Sequence, residues 1–497
     1  MLRTFKFYFI LLLSASGNSF SYADNNDMLH EYKRPAFDIT TDSIQCGSYI
    51  KKGLSRYDVK DYVAAIAYFT KVIESNPTYY KGYEYRAMSY AKMHDYNNAI
   101  DDLNKAMLLS PDNADLLSLR GMCYGFIKNY DAALEDFNKS ILLNPAEGSN
   151  YPFRGKVKEL MGKYAEAIED FTTAIRHNPT IVDLYVDRGI CKMNLKDYKG
   201  SLEDYNLAIS INTKNKRAYY NRGISEMELL QYKDAIKDFT TSIELDSTES
   251  SNYYRRGMCY EELLNYPIAL KDFNKSILIK ETYDTFFERG KVKTFSNDYN
   301  GALEDFKSCE RVDPDKRDAL YYSDLGDVYL KLLQYPGALK AYNTSLQLAE
   351  NSVVYASRAT VELNQKDFAG AKVDFKKSNK IQPNTTAYSG LTSVYMQKKE
   401  YTRALEYCNK TITLDSMYAQ TYIDRAVIKT NTGDLAGAIA DYSKAIELKN
   451  DCGLAYYDRA QLRLKSGDKA GACQDMQTAL KLNVAAAESE IDNYCAP

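Results

Sequence analysis

Between residues 46 and 484 the apolar positions do not alternate with polar ones; they return every three or four residues, the spacing of an amphipathic helix. A longer period organises them. The small residues Ala65, Ala99, Ala133, Ala167, Ser201, Ala235, Ala269, Ala302, Ala338, Ala371, Ala404, Ala438 and Ala472 follow one another at intervals of 34 six times, then 33, 36, 33, 33, 34 and 34. Most markers lead a run of an aliphatic residue, an aromatic three later and a further small residue, as in Ala235, Ile236, Phe239, Ser242 and Ile243. That run predicts one helix per unit. A preceding helix is predicted by an aromatic followed four residues on by a small residue: Tyr185 and Gly189, Tyr219 and Gly223, Tyr253 and Gly257. A tyrosine three residues before the marker (Tyr62, Tyr96, Tyr130 and others) falls near the turn between the two helices. Pro77, Pro111, Pro145, Pro179, Pro314 and Pro383 close six units, since proline lacks an amide hydrogen and clashes with the turn before it.

Aromatic, small, tyrosine, Ala-Ile, Asp-Phe, small and proline at a period of 34 resembles the tetratricopeptide repeat. The resemblance covers residues 46–484 as thirteen tandem units. It implies an all-α fold, a right-handed superhelical solenoid of antiparallel helix pairs with helix A, the first of each pair, on the concave side. Thr392 in the small helix-A position, and Leu435 and Lys469 in place of the turn tyrosine, predict looser packing in the eleventh to thirteenth units.

One contact follows from co-occurrence. Arginine stands three residues after the helix-A aromatic position at 86, 120, 154, 188, 222, 256, 289, 358, 425 and 459. The same ten units carry aspartate three residues after the marker, at 102, 136, 170, 204, 238, 272, 305, 374, 441 and 475; the other three lack both. A partly buried guanidinium needs a carboxylate, so the two helices of a unit should be tied by this pair. Residues 120–144 match 256–280 at 16 of 25 positions, which points to growth by duplication of a four-unit block.

Outside the array, residues 1–23 combine a basic flank, the apolar run Phe7 to Leu13 and small residues before Asp24, as a secretory signal cut after Ala23 does. Export to a periplasmic or extracellular space is therefore expected, with no transmembrane span in the mature chain. Residues 24–45 read as a polar lead-in, and 485–497 as a capping helix and tail, which the open end of a solenoid requires. Cys123, Cys191 and Cys259 recur two units apart, too far for a bridge, and read as small apolar core residues. Cys473 and Cys495 sit where a disulfide would pin the last helix to the final unit, while the pairing of Cys46, Cys309, Cys408 and Cys452 is left open.

Charge and chemistry then narrow the function. Lysine plus arginine total 64 against 67 acidic residues, a net charge of −3 that offers no overall attraction to nucleic acid. The three histidines, His30, His94 and His177, are not at metal-ligand spacing, and no phosphate loop, nucleophile elbow or Cys-x-x-Cys occurs. No catalytic, cofactor or metal site is expected, and the chain is read as a binding scaffold rather than an enzyme. Of 45 tyrosines, 16 fall outside the repeat's own slots. Among these Tyr220, Tyr254 and Tyr457 would turn towards the groove. The Asn-x-Ser/Thr matches at Asn138, Asn274, Asn343 and Asn409 repeat one helix-B slot and read as by-products of the repeat, with Asn384 a fifth match.

Partner binding is expected on helix A, five residues after the aromatic position, at Met88, Met122, Lys156, Ile190, Ile224, Met258 and Lys291, a stripe suited to an amphipathic or extended peptide. Asn221 and Arg255 add polar groups that resemble fragments of a carboxylate clamp, although Val186 and Ile190 replace the rest. The leading expectation is a scaffold for a protein or peptide partner that assists assembly of an envelope or extracellular complex. A solenoid that binds glycan through groove tyrosines, and a non-catalytic subunit of an enzyme complex, are the alternatives.

Overall fold

The computed structural model describes residues 44–145 and 148–495; the predicted signal segment and nearly all of the polar lead-in lie outside them. Among the described residues 27 α-helices follow in tandem with no strand. The first pair is α1 (Ile44–Asp58) and α2 (Tyr62–Ser75), the thirteenth α25 (Gly453–Lys465) and α26 (Lys469–Lys481), and α27 (Ala486–Tyr494) comes last. The chain forms an all-α helical-repeat solenoid, divided into two compact bodies, one ending at Cys259 and the other beginning at Tyr260. No helix among the described residues is long and apolar enough to cross a membrane.

Each repeat is built the same way. The thirteen marker residues are all 0% exposed, the tightest point of the helix pair. Between helix A and helix B one residue takes a left-handed conformation, from Lys60 at φ 62° to Gly467 at φ 88°, and these residues keep the same period as the markers. Only three of the thirteen are glycine (Gly162, Gly433 and Gly467), so most repeats carry a side chain there at some backbone cost. Helix B then starts on a capping side chain in eight repeats, for example Asp61 accepting from the Ala64 amide and Asp434 from that of Gly437.

The pair closes through complementary sizes. Glycine in the small helix-A position lies against the helix-B ring: a Cβ on Gly223 would come within 3.0 Å of Phe239, and one on Gly189 within 2.6 Å of Tyr205. Where helix A carries alanine instead, helix B offers Leu103 opposite Ala87 and Met476 opposite Ala460, but keeps a ring, Phe375 or Tyr442, in the repeats of Ala359 and Ala426. The eleventh repeat goes further, facing Thr392 with Cys408, 1% and 0% exposed. The looser packing expected around Thr392 is therefore not what the structure shows, because the larger residue on one helix is matched by a smaller one on the other. Lys469, in the thirteenth repeat, is exposed where the turn tyrosines of other repeats are half-buried.

Arginine–aspartate pairs tie the helices. In nine repeats Nε and Nη2 of the arginine donate to the two oxygens of the aspartate at 2.5–3.0 Å, as Arg222 does to Asp238. The third arm was not foreseen. Nη1 donates to a helix-B side chain of the preceding repeat: Arg120 to Asn104, Arg154 to Asn138, Arg222 to Asn206, Arg289 to Asn274, Arg358 to Asn343, Arg425 to Asn409, with Thr70, Thr172, Thr240 or Ser443 in the same role elsewhere. One guanidinium thus joins two helices of its own repeat to the repeat before. The recurring Asn-x-Ser/Thr asparagines are explained as its acceptors, and Asn384 as the N-cap of the helix Thr385–Gln397.

At the C-terminal end α27 packs on α26, with Ala487 0% exposed among Ala460, Ala472, Met476 and Ala479. Cys473 and Cys495 are joined in a disulfide with Cα atoms 5.6 Å apart. Cys123, Cys191, Cys309 and Cys408 are free and buried, Cys452 is free and half-buried, and Cys46 and Cys259 are buried.

Candidate functional site

Helix A presents the side chains that internal packing leaves over. The predicted stripe does not lie at one depth. Met88 and Met122 are 6% and 1% exposed and belong to the core; Met88 lines a small pocket with Leu54, Tyr57, Phe69 and Tyr85. These two are corrected from surface to core residues, because the neighbouring repeats in this stretch supply bulky apolar partners that close over the slot. Asn221 is also buried, at 5%, and its amide donates to the Arg217 carbonyl one turn back, so it is not a free polar group. Ile190, Ile224 and Met258 are half-buried, Ile190 and Ile224 against the apolar clusters of their own repeats.

The charged members of the stripe sit in networks. In the N-terminal body Lys156 reaches Glu159 Oε2 at 3.0 Å and Asp187 Oδ1 at 3.4 Å, and Arg217 reaches the same Asp187 oxygen at 2.7 Å. Three consecutive repeats are thereby joined across the face of helix A. Burial opposes the charge on Asp187, yet Lys156 and Arg217 outweigh it and hold its carboxyl below the usual range. Glu159 moves the other way, pushed up by burial and by Asp187. In the C-terminal body Lys291 lies between Glu288 and Glu261, 3.5 Å from Glu261 Oε1. Burial, with Glu288 adding to it, pushes the Glu261 carboxyl up to about 8. Sequence reasoning found Lys156 and Lys291 and missed their partners. The signal was there: Lys156, Asp187 and Arg217 are separated by 31 and 30 residues, one repeat less a helical turn, which sets them side by side on adjacent A helices.

Arg255 differs from the other groove cations. Its guanidinium lies 5.7 Å over the Tyr254 ring and bonds the Tyr220 hydroxyl, and no carboxylate lies within ion-pair distance of it among the described residues. Burial works against its charge, and the two tyrosines together with Glu228 more than compensate. Tyr220 itself is 6% exposed and packs on Phe239 at 5.8 Å, while Tyr457 packs on the C-terminal cluster. Of the three groove tyrosines expected from sequence, Tyr254 alone is neither buried in the core nor packed on the terminal cluster.

A family model described as the tetratricopeptide repeat matches residues 47–79, 81–113, 114–147 and 419–452. The chain is a tetratricopeptide repeat protein. The helix pairs between and after those segments are built on the same buried markers and left-handed turns. No curated protein matches its sequence. Solved structures similar to it include the Cut9–Hcn1 hetero-tetramer of the APC/C, at 14% identity over 82% of this chain and 94% of that one, with a TM-score of 0.43. A tetratricopeptide repeat protein from Parabacteroides merdae shows 21% identity over 50% and 98%, with a TM-score of 0.41. YrrB, titled as having an unusual peptide-binding site, shows 20% identity over 36% and 92%, with a TM-score of 0.33.

Proposed function

We propose that this tetratricopeptide array is an exported, non-catalytic scaffold that binds a protein or peptide partner along the helix-A face of its N-terminal body. The supporting observation is Arg255. A guanidinium drawn out of water and stacked on one tyrosine, with no carboxylate at ion-pair distance among the described residues, leaves a place that a partner's acidic group could take. Beside it in sequence register stand Ile224 and Met258, half-buried residues that a partner could finish covering. An acidic side chain flanked by apolar ones would suit that combination.

Export is part of the proposal because of the signal-like first 23 residues and the disulfide between Cys473 and Cys495, a bond favoured in oxidising compartments. The partner would belong to an envelope or extracellular complex. The test is site-specific photo-crosslinking of the exported chain. A cross-linker at Ile224 or Met258 should capture one defined partner, Arg255→Glu should abolish capture, and a cross-linker at Leu142 on helix B should capture none. Equal capture from Leu142, or capture untouched by Arg255→Glu, would rule the face out. A mature protein whose N-terminus is still Met1 would rule out the cut.

A further inference from the structure

We propose that Glu226 and Glu362 each hold a proton in a slot where the other repeats hold a hydrogen-bond donor, so that the helix pairs of the sixth and tenth repeats loosen as the medium turns alkaline. The slot lies four residues after the tie arginine. In eleven repeats it is occupied by Arg56, Tyr90, Tyr124, Lys158, Lys192, Tyr260, Lys293, Tyr329, Tyr395, Lys429 or Arg463, every one able to donate. In five of these a side-chain nitrogen sits 2.8–2.9 Å from the aspartate of the tie: Lys158 on Asp170, Lys192 on Asp204, Lys293 on Asp305, Lys429 on Asp441 and Arg463 on Asp475. In four of the five the residue also donates to a backbone carbonyl at the start of helix B, that of Gly200, Gly301, Gly437 or Gly471, at 3.2–3.4 Å. The seat is thus a carboxylate and a carbonyl, both acceptors.

Glu226 and Glu362 enter that seat with a group that, when ionised, can only accept. Each has its Oε2 buried with no hydrogen-bond partner. The Glu362 carboxyl lies over Gly370, the counterpart of those four glycines, where an added Cβ would stand 3.0 Å from Cδ. Among the described residues the cations that act on these two carboxyls are already engaged elsewhere. Arg222, on the same helix as Glu226, spends its three arms on Asp238 and Asn206, and Arg358 spends its three on Asp374 and Asn343. From helix B, Glu226 is faced by Asp238 and Asp234, with Lys237 already on Asp234. Glu362 is faced by Asp374 and Asp367. A protonated carboxyl restores the donor that the seat lacks. Burial, then the neighbouring aspartate, pushes Glu226 up to about 8 and Glu362 up to about 7.

Both folded values stand above the ordinary glutamate value of 4.5, so the stability these protons give is whole below that value and is lost as pH rises through about 7 and then 8. The experiment is hydrogen exchange on the full chain between pH 5.5 and 9, with protection factors in the sixth and tenth repeats compared with those in the fifth and twelfth. Protection should fall about tenfold per pH unit up to the titration point in the sixth and tenth repeats, and not in the other two. Glu226→Gln and Glu362→Gln keep a donor at every pH and should flatten the profile, each in its own repeat; Glu226→Lys should do the same. Wild-type profiles alike in all four repeats would overturn the proposal, as would glutamine variants with an unchanged pH dependence. Protection that returns at pH 9 on adding calcium chloride would overturn it too, by assigning the seat to a metal ion instead of a proton.

Discussion

The guanidinium at the third position after the helix-A aromatic ties the two helices of its own repeat to the repeat before. Arg222 makes two bonds to Asp238, whose side chain is 6% exposed, and one to Asn206. Removing the arginine leaves a buried carboxylate uncompensated, and Arg222→Ala should cost roughly 3 kcal/mol. In a double-mutant cycle with Asp238→Asn the coupling energy should exceed about 1 kcal/mol in urea unfolding; additive effects would mean the pair is not a contact. The aspartate was legible in the sequence because arginine and aspartate come and go together in the same repeats. The third bond was not, because its acceptor varies among asparagine, threonine and serine and belongs to the repeat before. The left-handed turn residue offers a second test at this scale. Leu333 holds φ 57° while 67% exposed, so its side chain gains little from burial and the backbone strain is uncompensated. Leu333→Gly should raise stability by up to about 1 kcal/mol, read as a higher urea midpoint at unchanged slope, whereas the same change in a relaxed turn would lower it.

At the level of the helix, capping separates repeats that look alike. Helix B of the twelfth repeat (Leu435–Leu448) begins on Asp434, whose oxygen takes the Gly437 amide at 2.9 Å; helix B of the ninth (Tyr335–Leu348) begins on Gln334, which makes no such bond. Asp434→Ala should lower stability by about 1 kcal/mol, and Gln334→Asp should raise it by a similar amount by supplying the missing acceptor. Measured together in one host, equal and opposite shifts would support capping as the cause, and a silent Gln334→Asp would count against it. The helices themselves were readable from the 3.6-residue period. The depth of a helix-A slot was not. Met122, Lys156 and Ile190 occupy one register, yet Met122 is 1% exposed while Ile190 is half-buried. Register fixes the direction in which a side chain points, while the neighbouring repeats decide how far they close over it. That is also why the Asp187 and Arg217 partners of Lys156 escaped a reading made one repeat at a time.

Because each repeat touches mainly its neighbours, stability in such an array is close to a sum of local terms, and a change at one end should stay there. The C-terminal disulfide makes this testable. Cys473 lies on α26 and Cys495 just past α27, a separation of 22 residues, so the bond removes loop-closure freedom from the unfolded tail by about 3 kcal/mol. What it holds in place is a nine-residue helix covering Ala460, Ala472, Met476 and Ala479, too short to be stable alone. Cys495→Ser, or reduction of the wild-type chain, should therefore cut hydrogen-exchange protection sharply in α27, less in α25 and α26, and not in the helix pairs of the eighth or ninth repeat. A uniform loss from the eighth repeat to the end would show that the C-terminal body unfolds as one cooperative unit. The local terms would then be coupled far more strongly than a nearest-neighbour array permits.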